Sequence, residues 1–320
     1  MGQLPPVDAA ATGRMATDLA DAFDPADAER LLAIGLALTP SVGLTVINRL
    51  RAHFGTLLAA HSAALSELQR VAGVGSALSV RIKAVNPSEI ATSLQRWEKA
   101  GIRLMMIDDF HLQRAYPIPL FRLKYPPPTV FFRGNLSSTF MMGRGVAIVG
   151  TRESTAPLEH LAYDYATVLA KATIPIISGL AYGIDAAAHK GALAERGYTA
   201  AILGSGITDD TLYPPAHRRL GQDILAQGVL LCEVNPEASP ARETLVYRNR
   251  LIAAFSRALI VIAAGASSGA LYAAHAAHDM HIPVFAAPQG GEGCQKLLAD
   301  YADPLPADPT VFLAHLNTRP

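Results

Sequence analysis

The sequence predicts an α/β protein whose larger part is a Rossmann-like, doubly wound, mostly parallel sheet, with a small helical domain ahead of it. Three observations carry this. Short apolar runs recur at 146–149, 174–177, 199–203, 229–232, 258–263 and 283–286. Between them lie stretches with apolar residues at helical spacing, such as Leu158, Leu161, Tyr165, Val168 and Leu169. The runs are apolar throughout rather than alternating, as expected of parallel strands covered by helices on both faces.

The elements follow in order. Residues 1–24, rich in Ala, Asp and Pro without a strong period, are expected to form a flexible leader. Asp24 ahead of Pro25 combines an N-cap with a first-turn proline, and residues 25–98 form a helical N-terminal domain with leucines at helical spacing. Two short elements recur inside it: Thr39-Pro40-Ser41-Val42-Gly43-Leu44, followed by Ile47 and Leu50, and Val71-Ala72-Gly73-Val74-Gly75, followed by Leu78 and Ile82. The second has the turn chemistry of a helix-hairpin-helix, so the domain is expected to be SAM-like or of that type. Two readings of the hairpin stand: glycines that turn backbone amides toward a DNA phosphate, or a tight turn that only packs.

Residues 99–143 form a connector and edge strand. Pro117, Pro119 and Pro126-Pro127-Pro128 favour extended chain over helix. Thr129-Val130-Phe131-Phe132 followed by Gly134-Asn135 reads as a strand and a turn. The Rossmann-like domain covers 144–300, and 301–320 is expected to be a C-terminal tail with no winged-helix domain.

Composition narrows the function. The 320 residues suffice for two domains. Half are hydrophobic and 17% charged, so the chain is globular and well packed. The 27 basic and 27 acidic residues give a formal net charge of zero, so any nucleic-acid site must be a local patch. Two cysteines, Cys232 and Cys294, leave one disulfide open but favour a reduced protein. No apolar stretch reaches the roughly 18 to 20 residues that span a bilayer. The N-terminus lacks the order of a signal peptide, so a cytoplasmic location and no membrane partner are expected.

The small and charged residues fall after the strands. The first is followed by Gly150-Thr151-Arg152-Glu153-Ser154, the second by Ser178-Gly179-Leu180-Ala181-Tyr182-Gly183-Ile184-Asp185, the third by Gly204-Ser205-Gly206, and the fifth by Gly265-Ala266-Ser267-Ser268-Gly269. Such loops share the carboxyl edge of an open sheet, where ligands bind near the reversal of strand order. Glycine lets the backbone approach a ligand, helix N-termini favour anions, and the Arg152 fork suits phosphate. Four such loops on one edge point to a phosphate site. The dinucleotide fingerprint and the P-loop lysine motif are both missing. Arg248-Asn249-Arg250 is the densest cationic cluster of this half, and its place among the glycine loops favours a ligand role over a solvated turn. Lys190 is either within reach of phosphate or at a solvated helix end. His275, His278 and His281 share a spacing of three, but with no cysteine or carboxylate to complete a set, a surface or core role is expected and no metal site. No Ser/His/Asp order supports a catalytic assignment, no cofactor is expected, and Asp185 is expected to organise its loop.

These residues carry a family resemblance. Val146-Ala147-Ile148-Val149-Gly150-Thr151-Arg152, Ile177-Ser178-Gly179-Leu180-Ala181-Tyr182-Gly183-Ile184-Asp185-Ala186-Ala187-Ala188-His189, Arg248-Asn249-Arg250-Leu251-Ile252 and Ser268-Gly269 resemble, in order and spacing, the motifs of the DprA/Smf family. The resemblance implies a non-enzymatic protein of natural transformation that binds and protects single-stranded DNA, dimerises, and helps load a RecA-type recombinase. It implies that Arg152, Ser178, Gly179, Arg248 and Arg250 line the strand-binding groove. The chain departs from the usual family residues at Leu245-Val246, Ala263, Ala264, Ala270 and Gln289. Two other functions stay open: a nucleotide-binding Rossmann-like enzyme or sensor, akin to nucleoside monophosphate hydrolases, and an adaptor that keeps only a recombinase contact.

Overall fold

The computed structural model describes residues 23–108 and 116–318, so the expected leader, apart from Phe23 and Asp24, lies outside the described residues. The chain divides into two compact units. One takes in residues up to 99 with 106–108 and 127–129; the other takes in 100–105, 116–126 and the chain from 130 onward.

The first unit is helical: α1 (Pro25–Ala37), α2 (Leu44–Phe54), α3 (Leu57–Ser62), α4 (Leu65–Leu68), α5 (Ser76–Lys83) and α6 (Pro87–Lys99). The Asp24 carboxylate accepts from the Ala26 amide at 2.8 Å and caps α1. Glu29 accepts from the Leu57 and Leu58 amides at 2.7 and 3.0 Å, which caps α3, and from Arg51 Nε at 3.2 Å.

The two recurring elements become equivalent hairpins. Val42 donates to the Thr39 carbonyl at 3.0 Å and Val74 to the Val71 carbonyl at 2.9 Å. Ser41 and Gly73 both take positive φ, 70° and 88°, and Gly43 and Gly75 each precede a helix, α2 and α5. The hairpins also hold each other. Arg49 donates to the Ala72 carbonyl and Arg81 to the Pro40 carbonyl, both at 2.9 Å, and these donors and acceptors occupy matching positions.

The second unit is built on β1 (Ile102–Met106), β2 (Thr129–Gly134), β3 (Gly145–Gly150), β4 (Ile176–Ser178), β5 (Thr199–Leu203), β6 (Val229–Cys232), β7 (Ser256–Ala263), β8 (Val284–Ala286) and β9 (Asp303–Pro304). They form one sheet in the order β1-β2-β6-β5-β4-β3-β7-β8-β9. Neighbours from β6 through β9 are parallel, whereas β2 runs antiparallel to β6. This is the expected Rossmann-like, mostly parallel architecture. Chain direction across the sheet reverses between β3 and β7, and parallel strands so arranged leave a crevice there at their carboxyl ends.

The helices are α7 (Ser138–Met141), α8 (Ala156–Lys171), α9 (Ile184–Ala194), α10 (Arg218–Leu225), α11 (Arg242–Tyr247), α12 (Asn249–Ala254), α13 (Gly269–Asp279), α14 (Glu292–Asp300) and α15 (Pro309–Thr318). On one sheet face, Val146, Ile148, Ile176, Ile260 and Phe285 pack with Tyr165 and Leu169 of α8 and Phe312 of α15 in a continuous core. Cys232 and Cys294 are free thiols, both buried.

Two expectations need correction. The connector is not extended throughout, because Ile118–Arg122 forms a 3-10 turn; the fixed φ of proline is compatible with the first turn of a helix, and Pro119 sits there. The expected tail from 301 is built into the domain. Asp303–Pro304 pairs with β8, and the ring of Phe312 lies edge-on to Tyr165 and Phe285, with centroids 5.6 and 5.0 Å away. Asp308 before Pro309, with apolar Phe312, Leu313 and Leu316, is the capping and periodicity signal of that helix.

A buried imidazole ties helix to sheet. Thr199 Oγ1 donates to the Ile176 carbonyl at 3.0 Å, so His189 Nδ1 donates to Thr199 Oγ1 at 2.7 Å. His189 Nε2 is buried and has no partner among the described residues. Burial pushes the His189 imidazole down to about 3, with Arg248 and His217 adding repulsion. The folded state therefore refuses a proton that the unfolded chain takes up below its ordinary value of 6.5. Stability from this group is complete above that pH and is lost as pH falls toward 3. Between pH 7 and pH 5 the loss should be about 2 kcal/mol. Denaturant melts of wild type and His189→Asn across this range should show a shallower slope in the variant.

Candidate nucleic-acid interface

The loops leaving β3, β4, β5 and β7 meet at the switch point, and a groove of about 1010 Å³ opens there. Gly150, Thr151 and Arg152 form part of its wall, Ser268, Gly269 and Ala270 another, and Arg242 with Leu245 and Val246 of α11 a third. The first wall is fixed by the Thr151 amide donating to the Ala263 carbonyl at 2.8 Å. The second is the N-terminus of α13, where Ser268 Oγ caps the Ala270 amide at 3.3 Å. A helix of this length brings unpaired first-turn amides and partial positive charge to an anion.

Beneath the groove lies a buried ion pair. Arg248 and Asp185 are only 5% and 4% exposed, and Arg248 Nη2 stands 3.8 Å from Asp185 Oδ2. Arg248 Nη1 donates to the carbonyls of Gly179, at 2.7 Å, and Ile202, while Nε donates to Asn249 Oδ1 at 2.9 Å. Asp185 accepts from the amides of Gly179 and Ala181 at 3.1 and 3.3 Å. Those amides flank Leu180, whose φ of 63° an unsupported leucine avoids. Burial raises the Asp185 carboxyl above the ordinary carboxylate range, against the pull of Arg248 and the two amides. Asn249 Nδ2 donates to the Gly269 carbonyl at 2.9 Å and carries the network to α13.

The sequence-predicted residues therefore separate. Gly150, Thr151, Arg152, Arg248, Asn249, Ser268 and Gly269 line one groove. Arg248 does so from inside the protein, its donors engaged by carbonyls and a carboxylate. Ser178 is buried and donates to the Ile148 carbonyl at 2.6 Å. Gly179 is required by packing, since a β-carbon there would overlap the Arg248 guanidinium. Gly183, at φ 69°, backs the Thr151-Arg152 turn, where a β-carbon would stand 2.7 Å from the Thr151 carbonyl.

Gly204-Ser205-Gly206, expected to face ligand, is covered by later chain: a Gly204 β-carbon would meet the backbone of Thr244 and Leu245 in α11, and the Gly206 amide donates to the Ala238 carbonyl in the loop before it at 2.7 Å. Arg250 leaves the groove floor to pair with Glu233, and its guanidinium lies 4.0 Å from the centre of the Tyr247 ring. Lys190 lies on the exposed side of α9 beside His217 and Asp223, in a different concavity.

Arg242, Tyr247 and Tyr272 also line this region and carry no motif in the sequence that marks them. Arg242 opens α11 after Pro240, a helix-start signal hidden in what reads as a loop. Among the described residues, the side chains of Arg152 and Arg242 make no hydrogen bond or ion pair, so both cations stand free at the groove. Two carboxylates line it: the exposed Glu153, and Asp185, whose Oδ2 takes the two amides and the Arg248 ion pair.

Residues 109–314 match the DNA recombination-mediator protein A family. Protein Smf of Synechocystis is 32% identical over 306 residues, covering 92% of this chain and 74% of that protein. The X-ray structure of DNA processing protein A from Streptococcus pneumoniae superposes with a TM-score of 0.71 at 26% identity, covering 89% of this chain and 97% of the other. DNA processing protein A from Helicobacter pylori, whose structure concerns its single-stranded DNA binding mode, gives 0.60 at 26% identity, with 68% and 95% covered.

The two arginine sites should respond to very different degrees. Arg248→Met strands the buried Asp185 carboxylate and should cost about 3–5 kcal/mol of stability. Arg152→Ala removes an exposed, unpaired side chain and should stay within about 0.5 kcal/mol of wild type. Urea denaturation of the two variants separates them.

Proposed function

The chain belongs to the DNA recombination-mediator protein A family, and we propose that it is a non-enzymatic, single-stranded DNA-binding recombination mediator. In this reading it protects incoming DNA and helps to load a RecA-type recombinase during natural transformation, acting as a cytoplasmic homodimer. The observation that carries the DNA-binding reading is the pairing of two free arginines, Arg152 and Arg242, with the N-terminus of α13 along one groove. Guanidinium forks and helix-end amides both recognise phosphate oxygens, and neither reads a base. The groove's carboxylates support binding over acid–base chemistry: the Oδ2 of Asp185 is tied to Arg248 and two amides, and Glu153 is exposed to water. Dimerisation and the recombinase contact rest on family membership.

Under this reading Gly150, Thr151, Arg152, Arg242, Ser268 and Gly269 touch the strand, while Ser178, Gly179, Gly183, Arg248 and Asn249 shape the walls. Binding is then a backbone interaction, weakened by salt and nearly indifferent to sequence. Titration of a labelled single strand over a salt series should give a log–log slope that shrinks by about 0.7 for each phosphate no longer neutralised. Arg152→Ala and Arg242→Ala should each shrink it by about one such step, equally for oligonucleotides of different sequence. Salt-independent affinity, or equal binding of single and double strands untouched by both substitutions, would overturn the assignment. A recombinase filament that assembles no faster on protein-coated single strands with this chain added would remove the loading role alone.

A further inference from the structure

Beside the groove, at Arg242, lies a second concavity of about 520 Å³, lined by Arg242, Glu243, Val246, Tyr247, Arg250 and Tyr272. Arg242, Val246 and Tyr272 line both, so the two concavities adjoin. Tyr247 and Tyr272 are 54% and 57% exposed, and neither phenol makes a hydrogen bond among the described residues. One face of Tyr247 is already taken: the Arg250 guanidinium sits 4.0 Å from its ring centre and is itself anchored to Glu233. That cation fixes the ring from behind and leaves its other face to solvent.

We propose that Tyr247 and Tyr272 form a base-stacking shelf beside the groove, on which unpaired bases rest while Arg152 and Arg242 hold the phosphates beside them. The inference rests on reading the groove as the single-strand site and adds the part that contacts bases. An open aromatic face next to a phosphate-binding cation suits a nucleotide in a strand: the π-face of any base stacks on it, so the contact is sequence-tolerant. A duplex cannot use the shelf, because its bases are already stacked on one another. The shelf thus supplies a preference for single strands that phosphate contacts alone do not provide. The two tyrosines stand on α11 and α13, the same helices that carry Arg242 and the Ser268-Gly269 turn, so the base and phosphate contacts share one frame.

The test compares a labelled oligothymidylate with an abasic strand of equal length, which keeps the phosphates and lacks the bases. Wild type should bind the thymidylate about tenfold more tightly, the scale of a base stacked on an aromatic ring. Tyr247→Leu with Tyr272→Leu should bring the two affinities together and leave the salt slope unchanged. Tyr247→Phe with Tyr272→Phe should keep the wild-type preference, which shows that rings rather than phenols are required. Both side chains are exposed, and unchanged urea midpoints confirm that the variants fold. The shelf is overturned if wild type binds both strands equally, or if the double leucine variant keeps the preference. Failure of the wild type to bind either strand overturns the groove reading, and the shelf with it.

Discussion

The arrangement of the switch point depends on one buried charge. Strands β4 and β5 end beside each other, and the carbonyls of Gly179 and Ile202 near those ends accept from the same Arg248 guanidinium. A guanidinium carries five donors in a fixed fork, so a single side chain can hold two strand ends and a carboxylate together. Burying such a charge is tolerable only when nearly all of its bonding capacity is used. That condition explains why Asp185, Asn249 and the glycine at 179 accompany it. Asp185 neutralises the charge and pins the amides on either side of the strained Leu180, and Gly179 leaves room for the fork.

What the buried pair uses, the ligand cannot have. Four arginines at this edge have three fates, set by what surrounds each. Arg248 is enclosed and serves the fold. Arg250 is partly enclosed, paired with Glu233 and laid across Tyr247. Arg152, on a tight turn, and Arg242, at the start of α11, are exposed and have no partner among the described residues. On a chain with a formal net charge of zero, attraction for an anion must come from such local, unneutralised groups, since opposite charges elsewhere cancel at a distance.

Much of this is legible in the sequence, and the exceptions have a common cause. Strands buried on both faces leave continuous apolar runs that survive any choice of neighbour, which is why β3 through β8 can be read in place. The two-residue β9 leaves no such run, so α15 beyond it reads as tail. The recurrence of the two hairpin elements is visible, but the reciprocal bonds of Arg49 and Arg81 are not, because they join residues far apart in the chain. The same limit misplaces Gly204-Ser205-Gly206. Its composition matches that of a ligand loop, and only the covering chain near Ala238 and Leu245 decides otherwise. Spacing also cannot say whether an aromatic is covered, so Tyr247 and Tyr272 read like any helical tyrosine.

The shape of the site favours a polymer over a single nucleotide on energetic grounds. Catalysis on a nucleotide gains most from an enclosed, water-poor cavity, where preorganised dipoles act at low dielectric and a free acid or base stands near the reacting atom. Here the Arg248–Asp185 pair is sealed beneath the surface, and Arg152 and Arg242 are exposed, where each is worth little alone. Weak, separated contacts become strong binding only when one ligand engages several in sequence, because the second and later contacts form at high effective concentration. A strand whose phosphates repeat along its length meets that requirement, and a lone nucleotide does not. The same arithmetic explains why rings beside the groove add discrimination without becoming a pocket: each supplies one more modest contact to a ligand already held by the others.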